Sequence, residues 1–334
     1  MGRYILKRLL QFIPTVIGSI FLLHYLVVLG IQINGNPARA MFGERTPTPA
    51  QLQALAEVFN TSDPCLEQTG NPCLGLFWER VSNLVQGELG VNFQRIPITE
   101  LISHALPVTL RLAFLAFVLQ VVIGLSTGVI AGLRGEGVVD YLVKVSTVLF
   151  ISVPVFVLGR LVQVYLGVEF GGVFRDSSWA PDWLTALFGV RYTPDHPWAS
   201  LILPAVVLAA LGLATTARLT RTSLMENLRA DYVRTAIAKG LPRRRVIGVH
   251  ALRNSLIPVI TDLGYQIGVL MSGAVVTETI FNIPGIGGLV INGVRQQDAS
   301  VIIPVVTFLV LVYLVINLLV DLLYAVLDPR IRYE

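Results

Sequence analysis

The residue pattern with the most recognisable chemistry is Gly124-Leu125-Ser126-Thr127-Gly128, a Gly-x-Ser-x-Gly match of the kind that presents a nucleophilic serine. That chemistry needs a sharp strand-to-helix turn with the serine exposed at its tip. Here the pentapeptide lies inside a long apolar run, and Gly124, Gly128 and Gly132 recur every four residues. Such a repeat makes a smooth helix face for close packing, which is the reading adopted. No His stands near Ser126 in sequence to serve as its base. The four histidines (His24, His104, His196 and His250) are far apart, and none forms His-Glu-x-x-His or sits beside a Cys cluster, so no metal site is expected. A P-loop needs Gly-Lys-Ser/Thr, yet none of the three lysines, Lys7, Lys144 and Lys239, follows a glycine. The chain is expected to carry no cofactor of its own and to perform no bond chemistry.

Composition says what must position these residues. Of 334 residues 54% are hydrophobic and 14% charged, and mean hydropathy is +0.70. Soluble domains run near ~25% charged, so a soluble fold of this chain would lack polar material for its surface. The expected class is an all-α polytopic membrane protein. Net charge is +4, too mild to suggest nucleic acid as a partner. A spanning helix needs roughly 20 mostly apolar residues, and six stretches answer: 9–31, 105–132, 141–167, 200–219, 256–280 and 301–325. The first follows Arg3, Lys7 and Arg8, as a signal peptide would, but it exceeds the about 7–15 apolar residues of such a segment and lies far from Ala38-Arg39-Ala40. It is read as an uncleaved span.

Placing both termini in the cytoplasm puts Arg3–Arg8, Arg134–Lys144, Arg218–Arg253 and Arg330–Arg332 inside, which gathers 16 of the 25 basic residues there. The other side receives Glu44, Glu57, Asp63, Glu67, Glu79, Glu88, Asp176, Asp182 and Asp195, together with all four tryptophans. The expected organisation is a tail and first span over 1–31, an extracytoplasmic insertion over 32–104, and a five-span core over 105–334. Within the insertion, Thr48 and Pro49 predict a short helix running to Phe59. Cys65 and Cys73 either close as a disulfide in an oxidising outer compartment or stand as two small apolar residues. Asn60-Thr61-Ser62 is a glycosylation sequon, which carries meaning only in a eukaryotic host.

The inner segment 220–255 is the most informative. Met225 to Lys239 is helix-compatible and ends at Gly240-Leu241-Pro242. A second helical stretch starts at Arg243-Arg244-Arg245 and runs through His250-Ala251-Leu252-Arg253-Asn254 towards the fifth span. An ordinary basic loop needs neither this length nor the Gly-Pro break. A short amphipathic helix held at the membrane surface can dock in a partner's groove.

At this point the sequence becomes recognisable. Asp231-Tyr232-Val233-Arg234-Thr235-Ala236-Ile237-Ala238-Lys239-Gly240-Leu241 and His250-Ala251-Leu252-Arg253-Asn254 resemble the coupling loop of ABC-importer permeases of the dipeptide/oligopeptide/nickel family. The resemblance continues in Tyr4-Ile5-Leu6-Lys7-Arg8-Leu9-Leu10, Gly87-Glu88-Leu89-Gly90, Val275-Val276-Thr277-Glu278-Thr279-Ile280-Phe281, Ile283-Pro284-Gly285-Ile286-Gly287, Asp321-Leu322-Leu323-Tyr324 and Leu327-Asp328-Pro329-Arg330-Ile331-Arg332. Its layout, with a long outer segment after the first span, resembles the first ("B") permease of such systems. The pattern departs in two places. Arg234-Thr235-Ala236 stands where the general coupling motif has Glu-Ala-Ala, and the stretch around Cys65–Cys73 looks like an insertion.

The resemblance implies a transmembrane permease subunit of the cytoplasmic membrane that imports di- or oligopeptides, or else nickel chelates. It implies a second homologous permease, an extracytoplasmic binding protein, and one or two ATPase subunits that hold ATP and Mg. The ATPase would contact Asp231, Tyr232, Arg234, Thr235, Ala236, Lys239, Gly240 and Leu241. Acids within spans are costly in lipid and must face protein or water. Glu278 and Asp321 are therefore read as structural polar pairs, whereas Asp262 either lines the pathway or pairs with a partner subunit. Arg160, beyond a kink expected at Pro154, either snorkels outward or contacts substrate. The rival reading is a self-sufficient proton-coupled transporter using Asp262 or Glu278. It predicts inverted repeats, which the sequence does not display, and leaves 220–255 unexplained.

Overall fold

In the computed structural model, residues 2–34, 63–135, 137–296 and 298–327 are described. The expected helix from Thr48 to Phe59, the Ala38-Arg39-Ala40 site, the sequon at Asn60 and the tail Arg330–Arg332 lie outside them. Among the described residues the secondary structure is helical, with a single isolated β-bridge between Val91 and Pro97. We label the main helices α1 (Gly2–Asn34), α2 (Leu74–Gln86), α3 (Ile98–Arg134), α4 (Val138–Ser152), α5 (Val155–Arg175), α6 (Asp182–Leu187), α7 (Ile202–Leu228), α8 (Asp231–Ala238), α9 (Arg243–Ile280), α10 (Ile286–Gln296) and α11 (Ala299–Leu327). Six of them, α1, α3, α5, α7, α9 and α11, are long and apolar enough to cross a membrane. α5 and α9 each contain a π-helical stretch, Val162–Phe170 and Val246–Ala251.

The third span differs from its expected bounds of 141–167. α4 stops at Ser152, Val153 is extended (φ −91°, ψ 122°), and α5 starts after Pro154. The cause is local: Pro154 has no N–H to continue the ladder, and its ring pushes Val153 out of the helical region. The spanning helix is therefore Val155–Arg175.

The chain divides into two compact units. One comprises residues up to Pro107 with Pro284–Leu318. Its core joins Ile98, Ile102 and Ala105 at the start of α3 to Ile286 of α10 and to Val301 and Val305 of α11. The approach to α3 is a tight turn in which Asn92 Oδ1 accepts from the N–H groups of Gln94 (3.0 Å) and Ile96 (2.8 Å). The buried Asp298 carboxylate accepts from Phe93 N–H (3.2 Å) through one oxygen. Its other oxygen caps α11 by accepting from Ser300 N–H (3.1 Å) and Val301 N–H (3.3 Å). The Gly87-Glu88-Leu89-Gly90 motif feeds this turn. Gly87 (φ 79°) ends α2 and Gly90 (φ 80°) accepts from Ile98 N–H, both in the left-handed region that suits glycine.

The other unit comprises Val108–Ile283 and residues from Leu319 onward, and its centre is α7. Two thirds of the most apolar window of α7 is buried, against about a sixth for α1 or α11. Small residues make that burial possible. Ala205, Ala209, Ala210, Gly212, Ala214 and Ala217 let neighbouring helices approach its backbone. Gly124, Gly128 and Gly132 of α3 meet α7 at Thr216, Thr220 and Leu224 in turn. Ser126 stands on the exposed side of this same continuous helix, not at a strand-to-helix turn. The glycine repeat is a packing seam.

Candidate functional site

α8 is built by two backbone breaks. α7 ends at Leu228, and Ala230 swings to an extended conformation (φ −69°, ψ 150°) before Asp231 restarts the helix. The single helix expected over 225–239 is thus two helices with a corner between them. At the far end Gly240 (φ 76°) closes a Schellman motif. Its N–H donates to Ile237 C=O (2.9 Å), and Leu241 N–H donates to Ala236 C=O (3.3 Å). A side chain at Gly240 would meet open space, so what favours glycine there is conformation rather than room. Pro242 then redirects the chain into α9.

The corner seats α8 on a small core of its own. Val233 and Ala236 are buried with Leu224 at the end of α7 and Val246 and Ala251 at the start of α9. Val129, Leu228, Leu241 and Leu252 pack around them. Leu224, Val233 and Val246 contribute about 1.5–3 kcal/mol each by burial, and the two alanines less, enough together to fix the orientation of a two-turn helix. Ser255 ties the ends of α7 and α9 together, its hydroxyl lying 2.7 Å from Ala251 C=O and 3.3 Å from Ser223 C=O. Asp231, Tyr232, Arg234, Thr235, Ile237, Ala238 and Lys239 are left exposed on the outer face of α8. Ile237 is 60% exposed and Tyr232 40%, which leaves apolar surface on a face otherwise polar. The Tyr232 hydroxyl donates to Asn227 Oδ1, holding the ring against the corner. The Arg234–Asp231 pair, at 3.7 Å and fully in solvent, adds little.

Of the residues expected to meet a partner, the structure therefore puts Asp231, Tyr232, Arg234, Thr235 and Lys239 on the outer face. Ala236 is turned into the seat, and Gly240 and Leu241 form the stop. Val233 is an anchor that sequence reading missed, although its three-residue spacing from Ala236 is the signal for a shared buried face.

A second missed feature braces this end of α7. Asp140, at the start of α4 and 1% exposed, receives both Arg221 Nε and Arg221 Nη2 (2.7 Å) and lies 2.9 Å from Lys144 Nζ. The Arg221 hydrogen bonds, helped by Lys144, hold the Asp140 carboxyl at about 2 against the opposing effect of burial. A carboxyl lowered in the folded state stabilises above its ordinary value near 3.8, and that stabilisation is lost as pH falls through about 2. Asp140→Ala is expected to cost about 3 kcal/mol at neutral pH, because it strips Arg221 of its carboxylate. The gap to wild type should close between about pH 4 and pH 2 in thermal unfolding of the purified protein.

Within the spans, Glu278 is fully buried and accepts a hydrogen bond from Thr109 Oγ1 at 2.6 Å. Arg160 donates to the buried Gln163, whose amide in turn donates to Ile280 C=O at the end of α9. Gln120 Nε2 donates to Thr216 Oγ1 at 3.1 Å between α3 and α7. Asp262, half-buried on α9, has one carboxylate oxygen shielded from solvent without a hydrogen-bond partner, as do Gln120 through Oε1 and Thr220 through its hydroxyl. Cys65 and Cys73 are joined as a disulfide (Cα–Cα 5.7 Å) in the other unit.

Residues 124–333 match the family described as binding-protein-dependent transport system inner membrane component. Over the full length of both proteins, the chain is 35% identical to the dipeptide transport system permease protein DppB of Escherichia coli K12. It is 35% identical, again end to end, to DppB of Haemophilus influenzae. It is 34% identical, also end to end, to the glutathione transport system permease protein GsiC of Escherichia coli O6:H1.

Proposed function

The chain belongs to the family of binding-protein-dependent transport-system inner-membrane components, and on that premise we propose that it is the peptide-translocating permease of an ABC importer. It is a multi-pass protein of the inner membrane and a transport component rather than an enzyme. The observation that carries the mechanism is α8: an eight-residue helix anchored from beneath by Val233 and Ala236, with Tyr232 and Ile237 facing outward. A separate ATPase subunit, holding ATP and Mg, receives that face from the cytoplasm. The clustering of basic residues supports placing both termini and 220–255 on that side. A second, homologous permease completes the pathway, and an external binding protein delivers peptide to the 32–104 and 168–199 segments.

Coupling follows from how α8 is mounted. It rests on the ends of α7 and α9, and α9 continues for 38 residues through a π-helical stretch at Val246–Ala251 and past Pro258, about 57 Å at the α-helical 1.5 Å per residue. A shift of α8 driven by ATPase closure is carried as a rigid displacement of this helix pair. The pair then switches packed spans between inward- and outward-open arrangements. The driving free energy is the ATPase's differential affinity for the two arrangements. Asp262, with its unsatisfied oxygen, is the residue assigned to the pathway or to the second permease.

Affinity purification of the tagged chain from its native membrane, followed by peptide uptake in reconstituted vesicles, tests this. The expected result is co-purification of a second permease and an ATPase, with uptake that requires ATP and the binding protein. A chain that purifies alone and transports in response to a proton gradient would overturn it.

A further inference from the structure

α2 has three faces, and α1 and solvent account for two of them. At 100° per residue, Cys73, Leu76, Phe77 and Arg80 fall in one sector, and this sector meets α1. Phe77 lies edge-on to Phe21 (centroids 5.4 Å) and to His24 (5.5 Å). Cys73 and Leu76 pack with Val28. The contact is reinforced by hydrogen bonds from the preceding loop. The His24 ring pairs with Pro72 C=O (3.0 Å), and Gln32 bridges Asn71 C=O (2.9 Å) and Gly70 N–H (2.8 Å). A second sector holds Glu79, Ser82, Asn83 and Gln86, which suit water.

The third sector is a narrow stripe of Leu74, Trp78, Val81 and Val85, at spacings of four, three and four. Leu74 is 53% exposed, Trp78 59% and Val85 83%. Nothing polar interrupts it. Its level relative to the membrane can be read from α1. Starting at Lys7 and Arg8, which mark one boundary, the ~30 Å hydrocarbon thickness is spanned in about 20 residues, at about Val28. The α2 contacts on α1 fall at Phe21, His24, Val28 and Gln32 and straddle that level. α2 is therefore held where the far leaflet's acyl chains meet its headgroups.

We propose that the Leu74–Trp78–Val81–Val85 stripe is a membrane-interface contact, inserted at the acyl–headgroup boundary of the leaflet remote from Lys7 and Arg8. Interfacial helices bury their apolar face at that level, and an indole with one wet and one dry edge suits it. The disulfide and the Gln32 bridges hold the helix in rotation so that this stripe, rather than the Glu79 sector, meets lipid.

Nitroxide labels at Leu74→Cys and Val85→Cys, with Ser82→Cys and Gln86→Cys as controls, test the assignment in the intact transporter in lipid vesicles. Cys65 and Cys73 are bonded to each other and do not compete for label. Accessibility to oxygen, which concentrates in lipid, is compared with accessibility to a water-soluble nickel chelate. The expected result places positions 74 and 85 about 5–10 Å below the phosphate level, with positions 82 and 86 in water. Nickel access at 74 and 85 equal to that at 86 would overturn the proposal in favour of a solvated face. Exclusion of both reagents at 74 and 85 would overturn it in favour of a protein partner. If a labelled variant fails to assemble, bromolipid quenching of Trp78, read as the difference between wild type and Trp78→Phe, gives the same decision: quenching supports it, and its absence overturns it.

Discussion

Replacing Ile237 with Asp is expected to release the ATPase from the permease while leaving the permease itself folded. Ile237 projects from α8 at 60% exposure and lies outside the buried seat beneath it. Its side chain therefore contributes little to the seat and much to whatever covers the outer face. Losing an apolar anchor at a protein contact, and burying a charge there instead, costs about 3 kcal/mol or more. That corresponds to about a hundredfold weaker docking. Co-purification of the ATPase should fall accordingly and ATP-dependent uptake should be lost, with the amount and melting temperature of the permease unchanged. Ala236 is the instructive contrast. Because it faces the seat, a bulky residue there unseats α8 itself, so loss of the ATPase in that variant would not locate the contact. Retained ATPase binding in Ile237→Asp would remove α8 as the docking element.

The second large effect is expected at Gly128. A Cβ built there stands 2.6 Å from the Ala217 carbonyl oxygen and 2.6 Å from Thr220 Cβ, both fixed parts of α7. No flexible side-chain tip can yield, so the two helices must separate. Gly128→Leu is expected to cost about 3 kcal/mol, at the upper end for overpacked cores, and to lower the yield of folded protein sharply. Gly18, where an added Cβ would meet no atom within 4 Å, is the matched control, and Gly18→Leu should leave yield unchanged. Ser126→Ala should also be silent in transport, because the serine lies away from the seam. Loss of function in Ser126→Ala with normal folding would revive the hydrolytic reading of the Gly-x-Ser-x-Gly pattern.

What the sequence disclosed follows from how local the governing forces are. Spans were legible because apolar length is a property of contiguous residues, and the Gly124/Gly128/Gly132 seam because helical periodicity keeps one face aligned. The break after Ser152 was foreshadowed only as a kink at Pro154, since the conformation forced on Val153 ends the helix outright. The outer side of α8 was harder to read. In eight residues the apolar Val233, Ala236 and Ile237 do not by themselves say which belong to the seat and which to the outer face. The Asp140–Arg221 brace joins residues 81 positions apart and has no local signature. The same holds for Glu278 with Thr109, where the acid was legible as a buried pair but its partner was not.

The shortness of α8 has a consequence for how partner choice is inherited. Isolated helices shorter than about 12 residues are marginal in water, and this one has eight and no side-chain cap at its start. Its shape is on loan from Leu224, Val246 and Ala251, which lie outside the helix. A synthetic peptide spanning 231–241 should therefore be a poor competitor for the ATPase. Grafting those residues onto another permease should transfer partner preference only when the seat residues travel with them. On the proposed docking role, the recognition surface is a folded one, built across three helices, and not a linear motif.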